Sequence, residues 1–242
     1  MGSEVFTVLV VCRGNINRSA LGAALLQTWS QWYLPEGVAG DVRILSAGIG
    51  APVGASMGRR ALAVAGALGA DGSQHRAVQI TEQLIRGSDL VLVSSARQRD
   101  HVLGLVPAVL RSTFTMREAG RILRALPGWP APPPDSVAEL RTRVLAIAEH
   151  RSAPAVAGED DIIDPQGKDE AAFQLMVQQE LPALTRIAGG LFGMPAGEIA
   201  AYDAAAQSGT IGTDGTPGPS APGAAPGAVI EPGERPPGRR RA

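Results

Sequence analysis

The sequence predicts an α/β fold: a single domain with a central parallel four-stranded sheet flanked by helices, followed by a disordered C-terminal tail. Three observations predict it. Short, continuously apolar, valine-rich runs alternate with longer segments that carry a helical apolar stripe, the pattern of parallel strands joined by crossover helices. Hydrophobic residues make up 45% of the 242-residue chain, enough for a core, although aromatics are only 4%. Composition then changes late in the chain. From Gly209 onward Gly, Pro, Ala, Ser and Thr dominate, ending Pro236-Pro237-Gly238-Arg239-Arg240-Arg241. Such a segment cannot bury enough apolar surface to offset its ordering entropy. The expected division is a folded domain over residues 1–205 and a disordered Pro/Gly/Ala-rich tail over 206–242.

Taken in order, residues 5–11 read as a strand buried on both faces, short and valine-rich. Leu21, Leu25, Trp29 and Trp32 then fall on one helical face, and Pro35 ends that helix. Residues 42–45 give a second strand and 59–68 a short helix closing near Gly69. Residues 89–93 give a third strand, followed by a helix through Arg97, His101 and Leu105. Residues 113–115 are a short fourth strand, and 137–150 and 170–191 are helices. In the last, Phe173, Met176, Val177, Leu181, Leu184, Ala188 and Leu191 make one stripe, which is core. Residues 127–135 and 152–159 read as linkers. No internal repeat is present.

The bulk properties exclude several classes. Net charge is −1, so nothing resembles the basic footprint of a nucleic-acid binder. Cys12 is the one cysteine, which rules out an internal disulfide and a Cys-based metal cluster. The N-terminus has no basic region or small-residue cleavage site, and no apolar stretch is long enough to span a bilayer. The expectation is a cytoplasmic protein with no membrane insertion, no metal and no cofactor.

Chemistry concentrates where the first strand ends. Cys12-Arg13-Gly14-Asn15-Ile16-Asn17-Arg18-Ser19 lies between that strand and the following helix, and parallel sheets collect ligands at the carboxyl ends of their strands. A loop wound at a helix N-terminus aims backbone N–H groups inward, forming a cradle for a tetrahedral anion. Gly14 relieves the tight turn and Asn15 tolerates positive φ. A helix N-terminus and a neighbouring arginine favour the reactive thiolate of a cysteine. Arg18 can grip two phosphate oxygens at once, which lysine cannot. The loop has no Gly-Lys-Ser/Thr, so magnesium-dependent nucleotide hydrolysis is not expected. The backbone of Arg13, Gly14, Asn15, Ile16 and Asn17, with Ser19, is the expected phosphate-binding set.

Cys12, Gly14, Asn15, Arg18 and Ser19, with Ser46-Ala47-Gly48 and Ser73-Gln74-His75-Arg76-Ala77 further on, resemble the low-molecular-weight protein tyrosine phosphatase family over roughly residues 6–191. The resemblance implies the flavodoxin-like fold of that family and a cysteine-dependent, metal-independent phosphatase acting through a phosphocysteine intermediate. It implies Cys12 as nucleophile, Arg18 on the phosphate, and Ser46 and His75 as braces of the loop asparagine. The family's general acid is the Asp of a late Asp-Pro motif, which Asp164-Pro165 matches. Asp161 is the alternative acid.

Three departures stand out. Asn17 occupies a place where many relatives carry a second, protective cysteine, so Cys12 is left exposed to irreversible overoxidation. Gln166-Gly167 replaces the aromatics that usually follow Asp-Pro. Arg13 follows the nucleophile, where a smaller or apolar residue is usual; it either attracts an acidic peptide or points to solvent. The substrates implied are phosphorylated proteins, such as a bacterial tyrosine kinase or an exopolysaccharide-related protein, and the Ala, Gly, Pro and Arg bias suits a high-GC bacterium. Two other readings stay open: an arsenate reductase using Cys12 with a low-molecular-weight thiol, and a non-catalytic phosphate- or phosphoprotein-binding module.

Overall fold

The computed structural model describes residues 5–154, 156, 158–209 and 211. In chain order the elements are β1 (Phe6–Cys12), α1 (Arg18–Tyr33), α2 (Glu36–Ala39), β2 (Val42–Gly48), α3 (Arg59–Ala67), α4 (Glu82–Arg86), β3 (Leu90–Val93) and α5 (Ala96–Leu105). A 3₁₀ turn (Pro107–Ser112), β4 (Thr113–Thr115), α6 (Met116–Ala125), α7 (Val137–Glu149), α8 (Glu170–Leu191) and α9 (Ala196–Ser208) follow. The four strands are parallel, in the order β2-β1-β3-β4.

β1 is central because both of its faces are apolar. Phe6, Val8 and Val10 join the larger core with α1, α6 and α8, whereas Leu9 and Val11 meet Val91, Val93, Ile85 and Val102 on the opposite face. Period-two alternation therefore feeds two cores from one strand, and each fully buried Val or Leu stabilises by roughly 1.5–3 kcal/mol. Val10 and Cys12 lie in register with Ser46 and Gly48 of β2. The carboxyl ends of both strands thus arrive together at the loop over residues 12–19.

Helix ends follow local chemistry. Leu34 is extended (φ −75°, ψ 148°) as the residue before Pro35, and α1 stops there. Four helices among the described residues went unread in the sequence, the short α2 and α4 and the longer α6 and α9. α6 opens with a capping box in which Thr115 and Glu118 satisfy each other's backbone N–H groups. α9 carries the fold past the expected boundary at residue 205. Ile199, Tyr202 and Ala206 are buried on one face, Trp29 Nε1 donates to the Tyr202 hydroxyl at 3.3 Å, and Gly209 ends the helix in the left-handed region at φ 64°. Burial of that face outweighs the alanine-rich, tail-like look of the local sequence, and Ile211 is buried as well. The expected disorder over residues 212–242 lies outside the described residues. Among the described residues no helix is long and apolar enough to cross a membrane.

Candidate active site at the carboxyl end of the central strand

Cys12, 2% exposed, is the last residue of β1. Its Sγ accepts the Asn15 backbone N–H at 3.2 Å and lies 3.0 Å from Ser19 Oγ. Ser19 Oγ also accepts a hydrogen bond from Asn15 Nδ2 at 2.9 Å and lies 3.4 Å from the Ala47 carbonyl. A thiolate can only accept, so for ionised Cys12 the Ser19 hydroxyl is the donor. Two donors then converge on the thiolate.

Asn15 is the hub of the loop. It is fully buried, at φ 53°, a conformation that asparagine adopts more readily than most residues. Its Oδ1 accepts the Val78 N–H at 2.8 Å, and its carbonyl lies 2.7 Å from His75 Nε2. A carbonyl only accepts, so Nε2 is the protonated ring nitrogen. Gly48 permits this closeness: a Cβ there would lie 2.7 Å from the Arg13 carbonyl and 2.9 Å from the Asn15 nitrogen. Ser46, expected to brace Asn15, instead pairs across from Val10 and lines a separate cavity with His75. The Asn15 amide goes to Ser19 and Val78. The brace supplied by the Val78 N–H is a main-chain contact, which side-chain identities do not reveal.

The loop runs straight into α1. Asn17 occupies the cap position without a side-chain capping bond, and the first turn holds no acidic residue. The first N–H groups and the positive end of the helix are therefore left for an anion. Asn17 Nδ2 reaches across to Gln166 Oε1 at 3.2 Å. Arg18, 3% exposed, donates through Nη1 to the Ile162 carbonyl at 3.1 Å and pairs through Nη2 with Asp164 Oδ2 at 2.7 Å. Its buried Nε has no partner among the described residues. A slot of about 280 Å³ opens above Cys12, lined by Arg13, Gly14, Ile16, Asn17, Arg18, Pro52, Asp164 and Gln166 among others.

Asp161 and Asp164 part company here. Asp161 Oδ1 accepts the Ala96 N–H at 2.8 Å, anchoring the first turn of α5. Asp164 is the carboxylate on the rim of the slot, one third exposed. Beneath the loop lies a residue that sequence reasoning missed. Glu180 of α8 is wholly buried, with neither carboxyl oxygen hydrogen-bonded among the described residues. Burial pushes its pKa well above the ordinary range, against the opposing pull of Arg18. A Cβ on Gly22 would lie 3.0 Å from Glu180 Oε1, so the two positions fit each other. A lone Glu in an otherwise apolar α8 stripe was the available signal. Among the described residues no group of three His, Cys, Asp or Glu side chains could hold a metal ion.

Fold and loop place the chain in the α/β class whose ligands sit where parallel strands end. The model of the family described as low molecular weight phosphotyrosine protein phosphatase matches residues 7–118. The probable low molecular weight protein-tyrosine-phosphatase EpsP of Ralstonia nicotianae is 39% identical over 112 residues, 46% of this chain and 71% of that protein. The corresponding Erwinia amylovora protein, AmsI, is 39% identical over 108 residues, 45% of this chain and 69% of that protein. The crystal structure of the E. amylovora tyrosine phosphatase AmsI superposes with a TM-score of 0.53 at 26% identity, covering 79% of this chain and 96% of that one. The chain belongs to the low molecular weight phosphotyrosine protein phosphatase family, and phosphatase activity is what that membership brings.

Proposed function

We propose that the protein is a protein-tyrosine phosphatase that works by double displacement through a phosphocysteine on Cys12. The observation that carries this reading is the convergence of the Asn15 N–H and the Ser19 hydroxyl on Cys12 Sγ, at the floor of a slot whose rim holds Arg18 and Asp164.

Phosphate enters against the loop N–H groups and the start of α1. Arg18 Nε, buried and without a partner among the described residues, is a ready donor to one phosphate oxygen. Nη2 spends one of its two hydrogens on Asp164 and keeps the other for a second phosphate oxygen. Protonation of Asp164 weakens its pairing with Arg18 and leaves the carboxyl free to turn to the leaving group. The Cys12 thiolate attacks phosphorus in line, forming the P–S bond as the P–O bond to tyrosine breaks, and protonated Asp164 gives its proton to the departing oxygen. Water follows along the same path. Asp164 takes its proton, the new P–O bond forms, and the P–S bond breaks with the leaving sulfur hydrogen-bonded by Ser19. The loop N–H groups and Arg18 stabilise the equatorial oxygens throughout. The substrates on this reading are phosphorylated proteins, exopolysaccharide-related kinases being the class first implied.

The decisive experiment is steady-state hydrolysis of p-nitrophenyl phosphate without added metal, with and without vanadate, alongside Cys12→Ser. Vanadate-sensitive turnover that the variant loses entirely is the expected result. Turnover near wild type in Cys12→Ser would overturn the nucleophile. Arsenate reduction with a small thiol, or phosphopeptide binding without turnover, would replace the phosphatase reading with one of its two alternatives.

A further inference from the structure

A second cavity, of about 670 Å³, adjoins the slot and shares Arg13, Arg18, Gly50 and Asp164 with it. Its other walls include Arg97, Ile49, Ile162 and Ile163. Its charge is unbalanced. Three arginines line it against two carboxylates. Asp164 pairs with Arg18 at 2.7 Å, and Asp161 accepts the Ala96 N–H at 2.8 Å and keeps its charge, so the excess is one positive charge. Arg13 and Arg97 are exposed, and neither has an ion pair or a side-chain hydrogen bond among the described residues.

We infer that this cavity is a second-anion subsite, in which Arg13 and Arg97 receive the carboxylate of an acidic residue neighbouring the phosphorylated residue of a peptide. The inference rests on the phosphatase reading above and adds the substrate class. Both arginines project from fixed backbone. The Arg13 carbonyl accepts the Gly50 N–H at 2.9 Å, and Arg97 follows Ala96, whose N–H is held by Asp161. Arg13 directly follows the nucleophile, so its side chain starts at a set position relative to the phosphorus. Solvated arginines are common on protein surfaces, but these two line one cavity that is continuous with the anion cradle. Its volume lies within the range of small-ligand sites, roughly 300–1,000 Å³. The isoleucines suit the methylene stem of an acidic side chain, and a guanidinium matches a carboxylate in two-point geometry. The slot itself, walled by Ile16, Pro52 and Gln166, offers no aromatic face for a phosphotyrosyl ring. Selectivity therefore falls to charge.

The test compares two phosphotyrosyl peptides that differ only in Asp or Asn at the flanking positions. kcat/KM is measured for each with the wild-type protein, Arg97→Gln and Arg13→Gln, at low and high salt. The wild type is expected to favour the acidic peptide by about tenfold at low salt, as two exposed ion pairs allow. Either substitution should bring the ratio close to one, and salt should do the same. A wild-type ratio near one, or a ratio unchanged in Arg97→Gln, overturns the subsite. If neither peptide nor p-nitrophenyl phosphate is hydrolysed, it is the phosphatase reading that fails, and fluorescence anisotropy with the same peptides, dye-labelled, tests the subsite alone. Tighter binding of the acidic peptide to wild type but not to Arg97→Gln sustains it, and equal affinities overturn it.

Discussion

The two walls of the slot are built differently. The loop over residues 12–19 is fixed from every side: Asn15 is bonded to Cys12, Ser19, Val78 and His75, and Gly48 lets β2 press against it. The acid-bearing wall is held by more exposed bonds. Before Asp164, the Ile162 N–H bonds to the Ser94 carbonyl, the Ile163 N–H to Gln179, and Asp161 to Ala96. After it, residues 166–170 are exposed yet tied down: Asn17 reaches Gln166, Arg60 bonds the Lys168 and Asp169 carbonyls and pairs with Glu170, and Asp169 caps α8. The first wall also lies within residues 7–118, the stretch matched by the family, and the second lies beyond it. The difference suits the proposed chemistry. An anion cradle gains from rigidity because its donors must be in place before charge develops. An acid that must follow a leaving group gains from standing on a more exposed segment.

The sharpest way to break this contrast is on the acid wall. Asp164→Asn should slow hydrolysis of substrates with poor leaving groups by about 10²-fold or more, the reach of general acid catalysis, and slow p-nitrophenyl phosphate less. Asp161→Asn, which disturbs only the anchor, should cost well under that. If the two variants exchange these effects in steady-state kinetics, the acid is Asp161.

On the loop wall the expected loss includes stability. Asn15→Ala leaves the Val78 N–H without its acceptor and puts alanine at positive φ, so urea unfolding should register a loss of roughly 1–3 kcal/mol together with lost turnover. Asn15→Gly, which accepts the backbone angle but not the hydrogen bonds, separates the two causes. Full stability in Asn15→Ala would mean that the loop is not held as described.

The gentlest probe lies beneath both walls. The pKa of Glu180 is raised in the folded state, so its contribution to stability is fully present below the unfolded value of about 4.3 and is lost as pH climbs toward the folded value. Glu180→Gln should remove that decline. Denaturation curves of the two proteins should therefore diverge above about pH 5, by at most about 1.4 kcal/mol per pH unit, with the variant the more stable. Parallel pH dependence would show that Glu180 finds a partner in solution.

Legibility followed the range of the forces involved. The strand-loop-helix unit around Cys12 was readable because its apolar run, loop residues and helical stripe are contiguous. α6 is equally local, with Thr115 and Glu118 spelling its capping box. α9 packs mainly on α8, the helix just before it, with Thr185 Oγ1 donating to Asp203 at 3.1 Å and Trp29 joining through Tyr202. Its alanine-rich run shows no long apolar stripe in the sequence.

By itself, then, the sequence determined the parallel α/β sheet, the position of the anion loop and the residue types within it, because period-two and helical patterning and the chemistry of a helix N-terminus act over a few residues. The Asp-Pro motif had already singled out Asp164; tertiary structure alone decided that Val78 rather than Ser46 holds Asn15, that Glu180 lies buried against Gly22, and that Arg13 and Arg97 share one cavity. Each of these depends on which distant backbone arrives beside which, and that is settled by how helices and loops pack on the sheet.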